Sequence, residues 1–382
     1  MRILHLCLAS YYNDGYNYQE NVLPRINKED GHEVRILAST EVFVDNQRLG
    51  YVEPSEYVTE YGVPIKRLPY AQIGNHFIQK KVRKYSGVYE EIAKFSPDVI
   101  MAHGLTMWSD LDVVRYKKNR PEVKLYADTH TAAYNSGTNW LSLHVLHRGL
   151  YRWLTQKTLP HLEKYFYIGE GERKFAIETY DVPEDIMEFY PLGGVIPSAE
   201  EYLDRRARRR AELGLAEDEL LLVHSGKLDA LKRTADLLRA FAAVPELKAK
   251  LAVIGSVPED MKPVLEPLMA ADPRVTYLGW KSGAELQEYL CACDLYCQPG
   301  SVSATMQNAV CCGSPVLLYP HEPYTKHYDY GNILWAKTAE DMTKAFRALQ
   351  GGEVDLAALR SGSDRCAREL LDYRSLGARL YQ

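Results

Sequence analysis

The sequence predicts an α/β chain of two domains, each a parallel sheet covered by helices on both faces. Three observations lead there. Short apolar runs alternate with helical stretches from end to end, which is the rhythm of βαβ units. The rhythm restarts behind the Gly/Pro-rich segment Pro191-Leu192-Gly193-Gly194-Val195-Ile196-Pro197. A length of 382 residues suits two domains at roughly 150 residues each. The expected domains are 1–194 and 195–382, with the last helix free to pack back on the first.

In the first half, Arg2–Ala9 reads as a strand and Tyr18–Glu29 as a helix. Gly31 closes that helix because it tolerates a left-handed C-cap. Glu33–Ala38 is a second strand, and an irregular stretch runs to about Lys66. Gln79–Phe95 reads as one helix. Asp98–Ala102, Val123–Asp128 and Tyr165–Ile168 read as buried strands. In the second half the strands are Leu220–Ser225, Leu251–Ile254, Val275–Leu278, Asp294–Cys297 and Pro315–Leu318. The helices between and after them are Ala235–Ala243, Ala284–Ala292, Ala304–Cys312, Glu340–Leu349 and Leu356–Leu370. Ligands of open α/β sheets sit at the carboxyl ends of strands, so both domains are expected to face a shared cleft.

Apolar residues make up 46% and charged residues 25%, enough for two buried cores. A net charge of −5 speaks against a nucleic-acid partner. No apolar run reaches the roughly 18 residues a membrane span needs, and the N-terminus reads as a strand, not a leader. Seven cysteines, an odd count, imply reduced thiols and a cytoplasmic setting. Cys291, Cys293 and Cys297 lack a matching Cys or His pair, so they read as buried structural thiols, not metal ligands.

Several motifs, in order, resemble those of the family-4 glycosyltransferases. They are Tyr18-Gln19-Glu20, Gly31-His32-Glu33-Val34, and Pro97-Asp98-Val99-Ile100-Met101-Ala102-His103-Gly104. In the second half they are Gly226-Lys227-Leu228 with Lys232, Leu278-Gly279-Trp280, and Cys293-Asp294-Leu295 through Gly313-Ser314-Pro315-Val316. The resemblance covers nearly the whole chain. It implies a GT-B fold of two Rossmann-like domains with parallel sheets facing an interdomain cleft. It further implies a retaining transfer from a nucleotide-diphosphate sugar held mainly by the C-terminal domain. The acceptor would be a glycan, a lipid-linked glycan or a small molecule, held mainly by the N-terminal domain. No cofactor and no metal are implied, and the chain carries no Asp-x-Asp triplet to hold a metal on the diphosphate.

Breaking a sugar–diphosphate bond loads negative charge on the leaving group, and a metal-free enzyme must meet it with cations and N–H groups. Lys227 and Lys232 match the family's basic pair on the donor phosphates; the bland alternative is two solvated lysines. Ser301, Ser303, Ala304 and Thr305 open a helix, whose tip offers N–H groups to a phosphate; a plain serine N-cap is the alternative, and both can hold together. Most members carry two glutamates with seven residues between them across this turn. Their places fall here at Gly300 and Asn308. Asn308 can still hydrogen-bond a ribose diol, whereas Gly300 cannot replace a carboxylate.

His130, directly after a strand, is placed by the resemblance beside the donor sugar, and imidazole can donate or accept near neutral pH. His103, after the preceding strand, is a second donor-side candidate. Asp128 either orients a neighbour or caps a turn. Gly15 lies in the loop Tyr11–Tyr18, where the family usually has a Gly-Gly pair close to the diphosphate. This turn lacks Gly-x-Gly-x-x-Gly, which argues against a dehydrogenase. Trp280 matches a position beside the base; a core tryptophan is the alternative. Glu322, Tyr324 and Lys326 form a loop without an assigned duty.

The run Arg205–Arg210 admits peripheral contact with anionic lipid at the inner face of the membrane; a solvated face beside Glu200, Glu201 and Glu212 is the simpler reading. Trp140, Leu143, Leu146, Leu150 and Trp153 form a helical stripe expected to be core. The sequence names neither base, sugar, acceptor nor oligomeric state. Besides a transferase, the missing glutamate leaves open a degenerate sugar-nucleotide-binding protein. A hydrolase or epimerase on the same fold is a third option.

Overall fold

The computed structural model describes residues 1–16, 18–44 and 48–381. The chain divides into two compact units, one of Met1–Pro191 with Leu376–Gln382, the other of Leu192–Ser375.

The first unit is built on an eight-stranded sheet. From one edge its strands are Met187–Phe189, Lys164–Tyr167, Lys124–Thr129, Val99–His103, Arg2–Cys7, Glu33–Ser39, Pro64–Leu68 and Glu56–Val58. All pairs run parallel except the last, where Glu56–Val58 is antiparallel to its neighbour. Leu4, Leu6, Ile100, Ala102, Leu125 and Ala127 are buried at its centre, as a parallel sheet covered on both faces requires. The register sets His103 beside Asp128 and Leu6 beside Ala102 at the carboxyl edge.

Three expectations for this half need correction. The stretch before Lys66 is not irregular: it holds the antiparallel pair Glu41–Val44 and Arg48–Tyr51, then the edge strand Glu56–Val58 and the start of its neighbour Pro64–Leu68. These strands are short and interrupted by polar residues, so no apolar run marks them. The expected helix Gln79–Phe95 is two helices, His76–Val82 and Val88–Phe95. Left-handed Arg83 (φ 51°) and Gly87 (φ 78°) break it. The tryptophan stripe divides as well. Leu143, Leu146 and Leu150 pack on the core, but Trp140 is 71% and Trp153 44% exposed. Both lie on or beside a helix that winds as a π-helix over Ser142–Tyr151 and as an α-helix over Arg152–Thr158.

The C-terminal residues complete the first unit. Tyr190 donates its hydroxyl to the Leu376 carbonyl at 2.8 Å, Arg379 donates to the Phe189 carbonyl at 3.0 Å, and Tyr381 packs on the His32 ring.

The second unit holds a six-stranded, wholly parallel sheet in the order Val275–Gly279, Ala249–Ile254, Leu220–Ser225, Leu295–Gln298, Val316–Leu318 and Ile333–Trp335. Its helices start where the sequence offers capping boxes: Ser198 with Glu201, Ser282 with Glu285 and Thr338 with Asp341. The arginine run is structural. Arg206 and Arg210 grip Asp294 at 2.6 and 2.9 Å, while Arg208 and Arg209 grip Glu288 at 2.8 and 2.6 Å. They lock helix Ala199–Glu212 to helix Gly283–Ala292, which explains the charge run without a lipid. All seven cysteines are buried and unbridged. Among the described residues, no helix is long and apolar enough to cross a membrane.

Candidate active site

In the second unit the strand Leu220–Ser225 ends at Gly226, whose φ of 132° only glycine adopts readily. The chain then crosses other backbone closely: a Cβ on Gly300 would lie 2.1 Å from the Leu231 carbonyl oxygen. This approach brings the loop Pro299–Ser303 against Leu231 and Lys232, and Ser301 N–H donates to the Leu231 carbonyl at 2.9 Å. Lys232 folds back over Gly226. It is only 8% exposed, and among the described residues its Nζ has one long hydrogen-bond contact, 3.5 Å to the Ser301 carbonyl. Burial lowers its pKa, with nearby Asp229 opposing. A buried ammonium with one weak partner is costly unless an anion completes it.

The start of helix Ala304–Cys311 faces the same loop. Ser303 caps it by accepting from Thr305 N–H at 3.3 Å, and its own N–H donates to the buried Tyr324 hydroxyl at 3.0 Å. The N–H groups of Val302 and Ala304 have no partner among the described residues. His321 Nε2 lies 2.9 Å from the Gly300 carbonyl oxygen and fixes the loop from the other side. The structure therefore joins Lys232 to Ser301 and orders Ser303, Ala304 and Thr305 as a helix tip. Lys227 and Asn308 are exposed. Trp280, at the end of strand Val275–Gly279, is 66% exposed, which rules out the core reading. His321 and Tyr324 went unassigned in the sequence, since a His and a Tyr after a strand carry no signal of the loop they will brace.

Arg233, beside Lys232, is spent on structure: it donates to Asp236 and to the Pro299 and Lys337 carbonyls. His224 is likewise structural. It donates from Nδ1 to the Cys297 carbonyl at 2.7 Å, accepts at Nε2 from Thr234, and burial pushes it down to about 4.

In the first unit His130 follows strand Lys124–Thr129 and keeps a third of its side chain exposed. Its Nε2 lies 3.6 Å from Asp128 Oδ2. Asp128 is wholly buried, and the same oxygen accepts from His103 Nδ1 at 2.7 Å and from Gln19 Nε2 at 3.1 Å. Behind it, His103 Nε2 meets His5 Nδ1 at 3.1 Å, and His5 Nε2 meets Asn27 Oδ1 at 2.9 Å. Burial opposes charge on His130, but the Asp128 carboxylate prevails and raises it to about 9. For Asp128 the balance is similar: burial raises its pKa, and the facing histidines pull it well below the usual carboxylate range. Burial, joined by His103, drives His5 down to about 3, so His5 is neutral at pH 7.

His103 is corrected by this geometry. It is 1% exposed and cannot touch a ligand, because both ring nitrogens point into the protein. Gly15 sits in an exposed left-handed turn (φ 77°). Buried Arg67 secures that loop by donating to the Tyr12 carbonyl and to Asp14, both at 3.2 Å. Asn17 of the same loop lies outside the described residues.

Among the described residues, no group of three or more His, Cys, Asp or Glu is placed to hold a metal ion.

Comparison with known proteins bears on the second unit most directly. Residues 219–350 match the family model described as "Glycosyl transferases group 1". A stretch of 163 residues is 31% identical to D-inositol 3-phosphate glycosyltransferase of Stackebrandtia nassauensis, covering 38% of this chain and 36% of that relative's length. The whole chain superposes on solved structures. HepE of Anabaena in complex with UDP gives a TM-score of 0.66 at 15% identity, covering 99% of this chain and 98% of that one. Sucrose-phosphate synthase of Thermosynechococcus elongatus gives 0.62 at 14% identity, covering 99% and 96%. At such identities the likeness establishes the fold. The chain has the GT-B architecture, and within it residues 219–350 are similar to the glycosyl transferases group 1 family.

Proposed function

We propose that the chain is a glycosyltransferase that moves a sugar from a nucleotide-diphosphate sugar to an acceptor, with retention at the anomeric carbon and without a bound metal. The observation that carries this reading is the buried Lys232 ammonium with one long protein contact, set beside a helix tip with free N–H groups. Both groups suit a diphosphate. In the proposed step the bond from the anomeric carbon to the phosphate oxygen breaks, and its electron pair stays on the diphosphate. The acceptor oxygen attacks the same face, and its proton passes to the departing phosphate oxygen. Lys232, exposed Lys227 and the N–H groups of Val302 and Ala304 hold the growing charge. In the same unit Asn308 takes the ribose and Trp280 lies near the base, as the resemblance implies.

The test is a thermal-shift screen with UDP, GDP, ADP and CMP, followed by turnover on the matching sugar nucleotides. Stabilisation by one nucleotide and a product of retained configuration are expected. No stabilisation by any of the four, or an inverted product, contradicts the reading.

A second reading rests on Gly300. The Leu231 carbonyl leaves no room for any side chain there, so the carboxylate that family members place near the donor sugar is missing. A binding protein that holds the sugar nucleotide without transfer predicts full stabilisation by the nucleotide and no product with any acceptor.

A lipid-linked acceptor is supported by the exposed face of the helix that begins near Trp140. Leu141, Val145 and Trp153 are exposed beside exposed Arg148 and Lys157. Aromatic and basic side chains together suit the surface of an anionic bilayer. We therefore favour a lipid-linked acceptor reached from the cytoplasmic face.

A further inference from the structure

His130 is one end of a chain of contacts that crosses the first unit. Asn27 lies on helix Gln19–Glu29, His5 on strand Arg2–Cys7, His103 on strand Val99–His103, and Asp128 on strand Lys124–Thr129. Four contacts of 2.9, 3.1, 2.7 and 3.6 Å join them in that order to His130. The first four members are buried; His130 keeps a third of its side chain exposed, while its Nε2 is buried and makes no hydrogen bond among the described residues, so its 3.6 Å approach to Asp128 is an ion-pair contact. A carboxylate can only accept, so His103 Nδ1 carries a hydrogen directed at Asp128. The His5 and His103 rings lie nearly parallel, 14° apart, which fits a hydrogen bond between their edge nitrogens.

The order of the chain has a chemical meaning. Asp128 Oδ2 collects donors from Gln19 and His103 on one side and faces His130 on the other. Its other oxygen, Oδ1, is buried with no hydrogen-bond partner among the described residues. The carboxylate is therefore aimed by its buried donors, not by solvent. Without them it would be free to turn, and the 3.6 Å approach to His130 would be lost.

We propose that His103 is a positioning residue: through Asp128 it holds His130 in its charged form at the carboxyl edge of the sheet, while His5 and Asn27 hold His103. The other ionisable groups around His130 act in the same sense. Glu20 on helix Gln19–Glu29 and Glu172 on helix Glu170–Tyr180 are both buried, and both favour a positive imidazole. Tyr134 is engaged with Glu172, donating to it at 2.6 Å. His130 is then a hydrogen-bond donor and cation toward its ligand at neutral pH, not a general base. The relay differs from a nucleophile-activating His–Asp pair, in which the imidazole must start neutral to take a proton. What the charge acts on, the donor sugar or its diphosphate, rests on the proposed glycosyl transfer; the charge itself does not.

The experiment is an NMR titration of the imidazoles in the full ¹⁵N-labelled chain without nucleotide, so a failure of the transfer reading leaves it intact. In the unaltered protein His130 is expected to titrate near 9. In Asp128→Asn it should fall to about 6.5 or below, the range of an ordinary imidazole. His103→Phe should lower it by roughly one pH unit or more, while His103→Gln, which can still donate an amide hydrogen to Asp128, should stay within about half a unit. A through-hydrogen-bond coupling between His5 Nδ1 and His103 Nε2 should be visible in the unaltered protein, and this readout serves if the His103 variants do not fold. A His130 midpoint below about 7, an unchanged midpoint in a folded His103→Phe chain, or no coupling between the two histidines overturns the proposal.

Discussion

Gly300 is the residue where chemistry and backbone bear most directly on each other. Its missing side chain removes the carboxylate that relatives of the resembled family place near the donor sugar, and the same absence lets two backbones touch. Gly300→Ala puts a Cβ against the Leu231 carbonyl and must part the loop from Lys232. It should cost about 1–3 kcal/mol of stability, read from the melting transition, and weaken nucleotide binding as well. A variant that melts and binds like the parent would mean the loop is not held there. Lys232 and Ser303 could be read from the chain, because both stand where a strand gives way to a helix and that junction is visible in one dimension. The histidine relay could not. His5 and His103 are 98 residues apart, and only the strand order brings them together. The neighbourhood of Asp128 and His130 was half visible: residues two apart at a strand end share a face.

At the scale of elements, the strands of both sheets were largely legible, since buried parallel strands are continuous apolar runs. What failed did so for local reasons. The antiparallel pair Glu41–Val44 and Arg48–Tyr51 has no apolar alternation strong enough to announce it, and the break at Arg83 uses a non-glycine residue in a left-handed conformation. The tryptophan stripe misled because helical spacing reveals a common face, not which face is covered. Its outcome is testable. The chain should bind vesicles containing an anionic lipid and bind neutral vesicles weakly. Trp140→Ala with Leu141→Ala should reduce that binding several-fold. Arg208→Gln should leave it unchanged, because Arg208 is paired with Glu288. Equal binding to both vesicle types by parent and variant would remove the support for a lipid-linked acceptor.

At the scale of the whole molecule, buried neutral histidines tie folding to pH in both units. Burial lowers His5 to about 3, and His147 and His224 to about 4. Each is neutral when folded and takes up a proton on unfolding below about 6.5. Stability from these residues is full above that value and declines as the pH falls toward 4, on the order of 2 kcal/mol for each between pH 7 and pH 5. His130 has the opposite sign: its raised pKa stabilises the fold below about 6.5, and that contribution fades as the pH rises through 9. Unfolding at pH 5 should therefore come at a markedly lower temperature than at pH 7, with net proton uptake. Equal melting at the two values would show that these imidazoles are not held neutral.

The account as a whole depends on a diphosphate being held by Lys232 and the tip of helix Ala304–Cys311 without a divalent ion. Calorimetric titration of the full chain with UDP, GDP and ADP in excess EDTA tests this directly, with the parent and Lys232→Ala side by side. Binding of at least one nucleotide by the parent in EDTA, weakened about tenfold or more in the variant, is the predicted result. Binding that appears only when magnesium is restored, or that survives Lys232→Ala undiminished, would contradict it.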